Sequence, residues 1–418
     1  MKNRLPLILF VFSLAFFAFG YGFIAALGKH FPYPQIVEVL TTLKDQLDPW
    51  IYIESESPQV QTVYDKKRAY PGLNLVTCMG ADQKLVAKVV DMDGLELHRW
   101  NIDWFEIWPD AEHISPSRRP KSRPGTSIHG AVLTAEGDLI FNFEGLGLVR
   151  LDKGGKVVWK LPYQTHHAIY EDDAGALWVL GLIDHTEHKP DFPNFEPEFA
   201  DYTVLKVSKD GQLLDEFSVL DVLKDNGLYG LLTMSAVAQR DTTVTDDTVH
   251  LNDVDIFPRT MKEGFFKHGD IMISLRNINA VLILTPEGRV KYTSIGKYVR
   301  QHDPDFIDGN TFSVFDNNNV TGAPKPSSRI VLEHVPSGET EVFFEGTDSM
   351  PFFTDIMGKH QWLPNGNALI TESGSGCAFE ITSEGGKVWD YYNVIGENTL
   401  GVISEVSRLP ASFDAVFR

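Results

Sequence analysis

The sequence predicts an all-β protein, a six-bladed β-propeller preceded by an N-terminal transmembrane helix. Three observations support this prediction: short apolar runs alternate with Asp-Gly, Glu-Gly or Gly-Gly turns, the pattern recurs at a period of roughly forty residues, and most repeats begin near a histidine. Four short antiparallel strands per repeat are typical of a propeller blade. Since one blade cannot bury both of its faces, the blades must stack on each other.

Composition limits the classes of partner. The chain has 418 residues, of which 43% are hydrophobic, and its formal net charge is -20. An acidic surface repels phosphate backbones, so nucleic acid is excluded as a partner. The basic run over 118–123 is either a solvated loop or a local aid to gathering an anionic ligand.

The N-terminus predicts membrane attachment. Lys2 and Arg4 precede an uncharged run, Leu5–Leu27, and about 20 apolar residues suffice to span a bilayer. A cleaved signal peptide is the alternative, although its apolar region is usually only about 7–15 residues long. The positive flank predicts a cytoplasmic N-terminus. The rest of the chain would then be membrane-anchored and periplasmic or extracellular.

The chain is expected to divide into three parts. Residues 1–30 form the anchor or signal segment, 31–63 a juxtamembrane helix and linker, and 64–418 the propeller. The helix is predicted over Ile36–Trp50, because apolar residues recur there at helical spacing.

The six repeats can be aligned on their turns. They span 85–100, 129–159, 167–217, 250–292, 301–344 and 360–392. In the fifth, Asp308-Gly309-Asn310 predicts a hairpin in which the glycine adopts a positive φ. Val402–Val406 or Leu73–Thr77 could close the ring. A β-sandwich is the alternative fold, but the recurring turn argues against it.

The two cysteines, Cys78 and Cys377, have no metal-ligand spacing. They would lie in neighbouring repeats, either joined by a disulfide that staples the closure or present as two buried free thiols.

Three long insertions interrupt the repeats, at 103–127, 183–200 and 221–249. Long loops on a rigid scaffold commonly build a binding mouth. Their aromatic residues either flank a ligand or simply pack the loops down.

Histidines recur at matching places in the repeats. His129, His167, His250, His302 and His360 each begin a predicted inner strand, so they should converge at one end of the central channel. A polar cavity that carries out chemistry is one explanation, and descent from one ancestral repeat is the other. Neighbours on a strand point oppositely, so His166 and His167 cannot both face the channel.

Arg276 lies in an otherwise apolar region, where a cation needs an anionic partner or ligand. Its planar fork suits tetrahedral oxyanions. Histidines with one arginine therefore indicate a sulfate or phosphate site, and no metal is expected there.

These motifs resemble those of the bacterial arylsulfotransferases that do not use the nucleotide sulfate donor. The similar segments are His166-His167, His250-Leu251-Asn252-Asp253, Ser274-Leu275-Arg276-Asn277, His302-Asp303, Asp308-Gly309-Asn310 and Phe315-Asp316-Asn317. The resemblance extends over roughly 70–400. It implies a six-bladed propeller that moves a sulfuryl group from an aryl sulfate to a phenol, by a ping-pong route through a sulfated histidine and without a cofactor.

The resemblance also implies roles for individual residues. His302 corresponds to the nucleophile, and His167, His250 and Arg276 to the groups that hold and polarise the sulfate. Asn252 corresponds to a neighbouring polar contact. His129 and His360 are expected to bind substrate from matching positions in their repeats.

Three other functions remain open from the sequence. A membrane-tethered propeller that binds a ligand or partner without catalysis would keep the fold. A quinone-dependent dehydrogenase is suggested by the turns at 152–159 and 385–389, although six repeats and two such turns are too few. The segment 184–188 contains two histidines and two acidic residues and could bind zinc, but it lacks a helical context.

Overall fold

The computed structural model describes residues 4–28, 30–33, 35–36, 51–116, 118–234, 236 and 241–418. The chain divides into two compact units, 1–52 and 53–418. One long apolar helix dominates the first unit, and strands dominate the second.

Helix α1 spans Leu5–Leu27, and its large apolar side chains are exposed. Its 23 residues rise about 1.5 Å each, enough to cross a hydrocarbon core of about 30 Å. By length and composition it could be a membrane anchor, although a signal sequence would have the same character. The predicted helix over Ile36–Trp50 lies, after its first residue, outside the described residues.

The strands of the described residues form seven sheets, so the chain is all-β apart from α1 and a few short helices. Sheet 1 contains β2 (Asn74–Met79), β3 (Leu85–Val90), β4 (Glu96–Ile102) and, beside β2, the last strand β28 (Ile403–Arg408). Sheet 2 contains β5 (Ile128–Leu133), β6 (Leu139–Phe143), β7 (Gly147–Leu151) and β8 (Val157–Leu161). Sheet 3 contains β9 (Gln164–Glu171), β10 (Leu177–His185), β11 (Phe195–Val207) and β12 (Leu213–Ser218), with β13 (Val244–Asp246) parallel to β11.

The remaining sheets follow the same order. Sheet 4 contains β14 (Leu251–Ile256), β15 (Ile271–Leu275), β16 (Ala280–Leu284) and β17 (Val290–Ile295). Sheet 5 contains β18 (His302–Phe306), β19 (Thr311–Asp316), β20 (Arg329–His334) and β21 (Glu339–Glu345). Sheet 6 contains β22 (Lys359–Trp362), β23 (Ala368–Glu372), β24 (Cys377–Ile381) and β25 (Lys387–Tyr392). A small sheet contains β1 (Tyr52–Glu54), β26 (Val394–Gly396) and β27 (Thr399–Gly401), and the short helices are α2 (Trp104–Ile107), α3 (Val219–Asp225), α4 (Tyr229–Leu232) and α5 (Asp414–Phe417).

Sheet 1 joins the two ends of the strand-rich unit. Strand β28 pairs antiparallel with β2, with Val406 opposite Val76. The sequence offered Val402–Val406 or Leu73–Thr77 for closing the ring, and both segments overlap strands of this sheet.

Consecutive sheets pack on each other through buried apolar clusters. Leu180 of sheet 3 and Leu282 of sheet 4 belong to one cluster, and Met272 of sheet 4 and Phe312 of sheet 5 to another. Similar clusters join sheets 5 and 6, sheets 6 and 1, and sheets 2 and 3. In each of sheets 1–6, the first strand in the pairing order contacts the first strand of the next sheet. These first strands are β28, β5, β9, β14, β18 and β22, and β22 contacts β28 in turn.

The hairpin at Asp308-Gly309-Asn310 connects β18 and β19 as predicted, but the reason for its glycine differs. Gly309 is not among the residues with positive φ. A Cβ atom there would lie 2.3 Å from the backbone nitrogen of Gly264 and 2.6 Å from the carbonyl oxygen of Lys262. Close approach of another backbone segment therefore requires this glycine.

The structure decides between alternatives that the sequence left open for the cysteines and for the aromatic residues of the insertions. Cys78 and Cys377 are both buried and free, so no disulfide joins them. Most aromatic residues of the insertions are buried as well, including Trp104, Trp108 and Phe195, whereas Phe105 and Tyr229 are half-buried. They pack the insertions against the sheets.

Candidate active site

Four imidazoles from neighbouring sheets lie together and are here called the imidazole cluster: His129, His167, His250 and His302. The ring of His167 is central, with its centroid 4.2 Å from that of His129, 5.2 Å from His250 and 6.3 Å from His302. The Nη2 atom of Arg276 lies 3.2 Å from the Nδ1 atom of His250. The structure thus brings together five of the residues that the sequence singled out.

Local backbone irregularities direct two of these imidazoles. His167 and His250 have left-handed φ values of 48° and 51°, which are uncommon for residues other than glycine. The strand pairing shifts register close to both, at Val179/Leu180 opposite β9 and at Leu251/Asp253 in β14. A bulge of this kind re-aims a side chain, and strained backbone concentrates at functional sites.

The environment of His302 fixes which ring nitrogen carries the proton. Its Nδ1 atom lies 2.7 Å from Oδ1 of Asn317 and 3.1 Å from the carbonyl oxygen of Arg300. Both oxygens accept hydrogen bonds, so Nδ1 donates and Nε2 keeps its lone pair. Burial, helped by the positive charge of Arg276, lowers the pKa of His302 to about 3. His302 is therefore neutral near neutral pH.

A chain of contacts runs from His166 to His167, and from His167 through Glu144 to His129. The Nε2 atom of His166 lies 3.1 Å from the carbonyl oxygen of Gly181 and must donate to it, so its Nδ1 atom accepts from Nδ1 of His167 at 2.9 Å. Glu144 lies 3.2 Å from that same Nδ1 of His167 and 2.8 Å from Nδ1 of His129. His167 and His129 thus both direct Nδ1–H toward fixed acceptors.

Burial and charge set the protonation of this group. Burial lowers the pKa of His166 to about 4. Burial and the neighbouring imidazoles hold the pKa of His167 well below its usual range. Burial alone would raise the pKa of Glu144, but the adjacent His129 brings it down to about 2. At neutral pH Glu144 is therefore ionised, whereas His166 and His167 are neutral.

His250 differs from its neighbours because it has a carboxylate partner of its own. Its Nδ1 atom lies 2.6 Å from Oδ2 of Asp247, and Tyr202 donates to the other oxygen of Asp247 at 2.5 Å. Burial opposes ionisation of Asp247, yet the hydrogen bond from His250 holds the pKa of that carboxyl well below its usual range. Asp247 therefore orients the His250 ring by accepting its Nδ1 proton.

Two polar atoms beside the imidazole cluster have no partner. Nε2 of His250 and Nε of Arg276 are buried and make no hydrogen bond to any described residue. Leaving a buried donor unpaired costs about 1–3 kcal/mol. A bound oxyanion would provide acceptors for Arg276 and for a protonated His250.

The other two predicted site residues lie apart from these rings. Asn252 is buried and donates from Nδ2 to the carbonyl oxygen of Gln301 at 2.8 Å, so it holds the backbone directly before His302. His360 contacts Asp303 and Ser313, with Nδ1 2.9 Å from Oδ2 of Asp303 and Nε2 2.7 Å from Oγ of Ser313.

Three residues of the site were not assigned a role from the sequence: Glu144, Asp247 and Asn317. One signal was available. Glu144, Arg276 and Asn317 each directly follow the second strand of their sheet, so they occupy equivalent positions in sheets 2, 4 and 5. Asp247 belongs to the loop before His250, and its sequence position alone gives no such signal.

The basic run and the zinc candidate are explained by surface ion pairs. Arg118 pairs with Asp184 at 2.8 Å and Arg123 with Asp103 at 2.6 Å. Asp184 is thereby engaged, and His185 lies 3.3 Å from Asp201. The residues of 184–188 are not among the described groups that could hold a metal ion.

Several solved structures align with most of this chain at low sequence identity. A protein of unknown function from Bacteroides caccae is 13% identical, with a TM-score of 0.48, covering 81% of this chain and 98% of its own. Virginiamycin B lyase from Staphylococcus aureus is 10% identical, with a TM-score of 0.40 and coverages of 86% and 98%. The WD40 β-propeller domain of Doa1 is also 10% identical, with a TM-score of 0.40 and coverages of 82% and 99%.

Among curated proteins, nothing matches the chain. The family model described as arylsulfotransferase (ASST) matches residues 130–394. That range contains all of the predicted site residues except His129. Since the match covers more than half of the sequence, the chain belongs to the arylsulfotransferase (ASST) family.

Proposed function

We propose that the protein transfers a sulfuryl group from an aryl sulfate to a phenol, with His302 as the nucleophile. The observation that carries the proposal is the state of His302. It is buried and neutral, its Nδ1 proton is held by Asn317 and Arg300, and its Nε2 lone pair is free. A neutral imidazole is a competent nucleophile, and family membership supports sulfuryl transfer as the reaction.

In the first half-reaction, Nε2 of His302 attacks the sulfur of the aryl sulfate. The N–S bond forms while the bond between sulfur and the aryl oxygen breaks. Nδ1 keeps its proton and its hydrogen bond to Asn317, so the sulfated ring is cationic and remains a good leaving group. Arg276 faces the negative charge on the sulfuryl oxygens, which is the main demand of such a transfer.

We assign His250 as the acid that protonates the departing phenolate. Its Nδ1 atom donates to Asp247, which orients the ring, and its Nε2 atom is unpaired and can exchange a proton with the phenol oxygen. His167 is a poorer candidate because burial and its imidazole neighbours disfavour its protonation. In the second half-reaction, His250 takes the proton of the acceptor phenol. The phenol oxygen attacks sulfur, the N–S bond breaks, and His302 returns to its neutral form.

The same proposal includes the architecture around the site. The cyclic succession of contacts between first strands, from β28 through β22 and back to β28, supports a closed propeller with six blades. His129, His167, His250 and His302 then surround one end of its channel. The apolar helix α1 would anchor 64–418 outside the cytoplasm, with 31–63 as the connection, as the charge pattern around Leu5–Leu27 indicates.

The proposal is tested by incubating the full-length protein with a chromogenic aryl sulfate, with and without a phenol acceptor. We expect release of coloured phenol that depends on the acceptor. Without acceptor, we expect one sulfuryl group per chain, mapped by mass spectrometry to the peptide that contains His302. His302→Ala should abolish both signals.

The outcomes separate the possible functions. If the label maps to a different histidine, sulfuryl transfer stands and the assignment of His302 is wrong. If no adduct forms and no sulfate is transferred by folded protein, the transferase function is refuted. A propeller that binds a ligand without catalysis then takes its place.

A further inference from the structure

A second polar group lies one residue further along β18 than the proposed nucleophile. It consists of Asp303 and Asp305 from β18, Lys359 and His360 from β22, and Asp253 from β14, and is here called the channel carboxylate group. Asp253, Asp303 and His360 are buried. Strands β14 and β18 thus contribute three carboxylates, and β22 contributes a lysine and a histidine beside them.

Asp303 is the centre of this group. One of its oxygens, Oδ1, accepts from Nζ of Lys359 at 2.7 Å, and the other, Oδ2, accepts from the backbone nitrogen of His360 at 2.5 Å. Its own φ of 50° is left-handed. The strand is therefore held in a strained conformation that turns this carboxylate toward β22.

The side chain of His360 has no solvent exposure, yet its Nδ1 atom makes no hydrogen bond to any described residue. Nδ1 lies 2.9 Å from Oδ2 of Asp303, so the two atoms are close but not aligned for a hydrogen bond. Two ligand atoms of one metal ion are expected to lie this close without hydrogen-bonding to each other, because both point at the ion.

Asp305 completes the arrangement. Its carboxylate accepts no hydrogen bond from any described donor. Its Oδ2 atom lies 3.5 Å from Nε2 of His360, but that nitrogen is hydrogen-bonded to Oγ of Ser313 at 2.7 Å. Asp303, Asp305 and His360 each offer one ligand atom, and these three atoms lie within 4.8 Å of one another. A single ion could contact all three.

The charges of the group are also unbalanced. Lys359 is the one cation, and it bridges Asp303 and Asp253. It leaves Asp305 without a counter-charge, and Asp255 of β14 adds a further buried carboxyl. Asp253, Asp255 and Asp303 are thus buried with one cation among them, and buried charges of one sign favour binding of a further ion of the opposite sign.

We propose that Asp303, Asp305 and His360 bind a divalent metal ion in the channel, at a site separate from the imidazole cluster. Two carboxylates with one imidazole suit ions that accept both oxygen and nitrogen ligands, among which Mn²⁺ is a convenient probe. The ion would cross-link β18 to β22 directly behind His302.

The test is a titration of the full-length protein in detergent with Mn²⁺, followed by the electron paramagnetic resonance signal of the free ion. We expect one Mn²⁺ per chain. Asp305→Asn and His360→Gln should each weaken binding by at least about ten- to a hundredfold, the loss that is typical when a group supporting a metal ligand is altered. Asp348→Asn is the matched control, because that carboxylate is 83% exposed and pairs with Lys325 on the surface.

Lys359→Gln is expected to have the opposite effect on Mn²⁺ binding. Lys359 competes with the ion for Asp303, so its removal should tighten Mn²⁺ binding and enlarge the rise in unfolding temperature that Mn²⁺ produces. Circular dichroism confirms that each variant is folded, and Asp305→Glu replaces Asp305→Asn if the latter is not.

Absence of Mn²⁺ binding to folded wild type would overturn the proposal. So would binding that survives Asp305→Asn and His360→Gln but is lost in Glu144→Gln, since the ion would then occupy His129, Glu144 and His167. None of these measurements depends on sulfuryl transfer, so the metal site and the proposed reaction stand or fall separately.

Discussion

Asn317 determines the tautomer of His302. Its Oδ1 atom lies 2.7 Å from Nδ1 of the imidazole, and its Nδ2 atom donates to the carbonyl oxygens of Thr354 at 3.0 Å and Met357 at 2.8 Å. Because both carbonyls require a donor, the amide cannot be reversed, and its oxygen must face His302. The free lone pair on Nε2 therefore follows from the fixed orientation of the Asn317 amide.

Replacing Asn317 by Ala should therefore slow the first half-reaction. Without this acceptor the imidazole can rotate or move its proton to Nε2, and a lost hydrogen bond of about 1.4–2.7 kcal/mol corresponds to a rate reduction of about ten- to a hundredfold. Single-turnover release of phenol measures the rate. Asn319→Ala is the control, since its Nδ2 atom donates to the carbonyl oxygen of Asp355 at an exposed position. An unchanged rate in folded Asn317→Ala would refute this role.

The pH dependence of the first half-reaction should also reflect His302. Its pKa of about 3 lies below that of free histidine, about 6.5, so the nucleophile stays neutral as the pH falls from 7 to 5. We expect no loss of rate through His302 over that interval. Asn317→Asp should introduce an acidic limb, because a carboxylate favours the charged imidazolium and raises its pKa. A wild-type rate that falls with an apparent pKa near 6.5 would contradict the assignment.

The role of His250 as an acid can be examined through Asp247. Asp247→Asn removes the carboxylate that accepts the Nδ1 proton of His250 and orients the ring, so transfer should slow most for aryl sulfates whose phenolate is a poor leaving group. A series of substituted aryl sulfates measures this as a steeper dependence of rate on phenol pKa. Tyr202→Phe is the comparison, because it removes one hydrogen bond to Asp247 and keeps the contact with His250. Equal slopes in wild type and Asp247→Asn would exclude His250 as the acid.

Much of the strand pattern could be predicted because it is local. Apolar runs such as Leu139–Phe143 and Ala280–Leu284 are strands with the same bounds in the structure. The insertion over 183–200 was less accessible. In the structure it extends the β10–β11 hairpin, with His185 opposite Phe199, but its Pro and polar residues break the alternation that reveals a strand. Pairing across the hairpin, which the sequence does not display, decides this segment.

The candidate site could likewise be predicted only in part from the sequence. The repeat register was enough to group the imidazoles, because His129, His250 and His302 lie within one residue of the start of a strand and His167 is the fourth residue of β9. It did not separate His360 from His302, since side-chain direction depends on local irregularities such as the register shift between His302 and Asp305. The acceptors Glu144 and Asn317 depend on which strands are neighbours in space. Their common position directly after a second strand marks them as equivalent, but it does not show which imidazole each one contacts.

The turn at Gly309 provides a test of stability rather than activity. The sequence suggests that glycine is needed for a positive φ, whereas the structure shows a clash between an added Cβ and the backbone of Gly264 and Lys262. Gly309→Ala must push two backbone segments apart, and we expect a loss of about 1–3 kcal/mol in the free energy of unfolding, as for other overpacked sites. Gly386→Ala is the control, because its Cβ would lie 3.5 Å from the nearest atom, Oγ1 of Thr382, without positive φ. Chemical denaturation measures both variants, and equal stabilities would show that the 262–264 segment yields to the new methyl group.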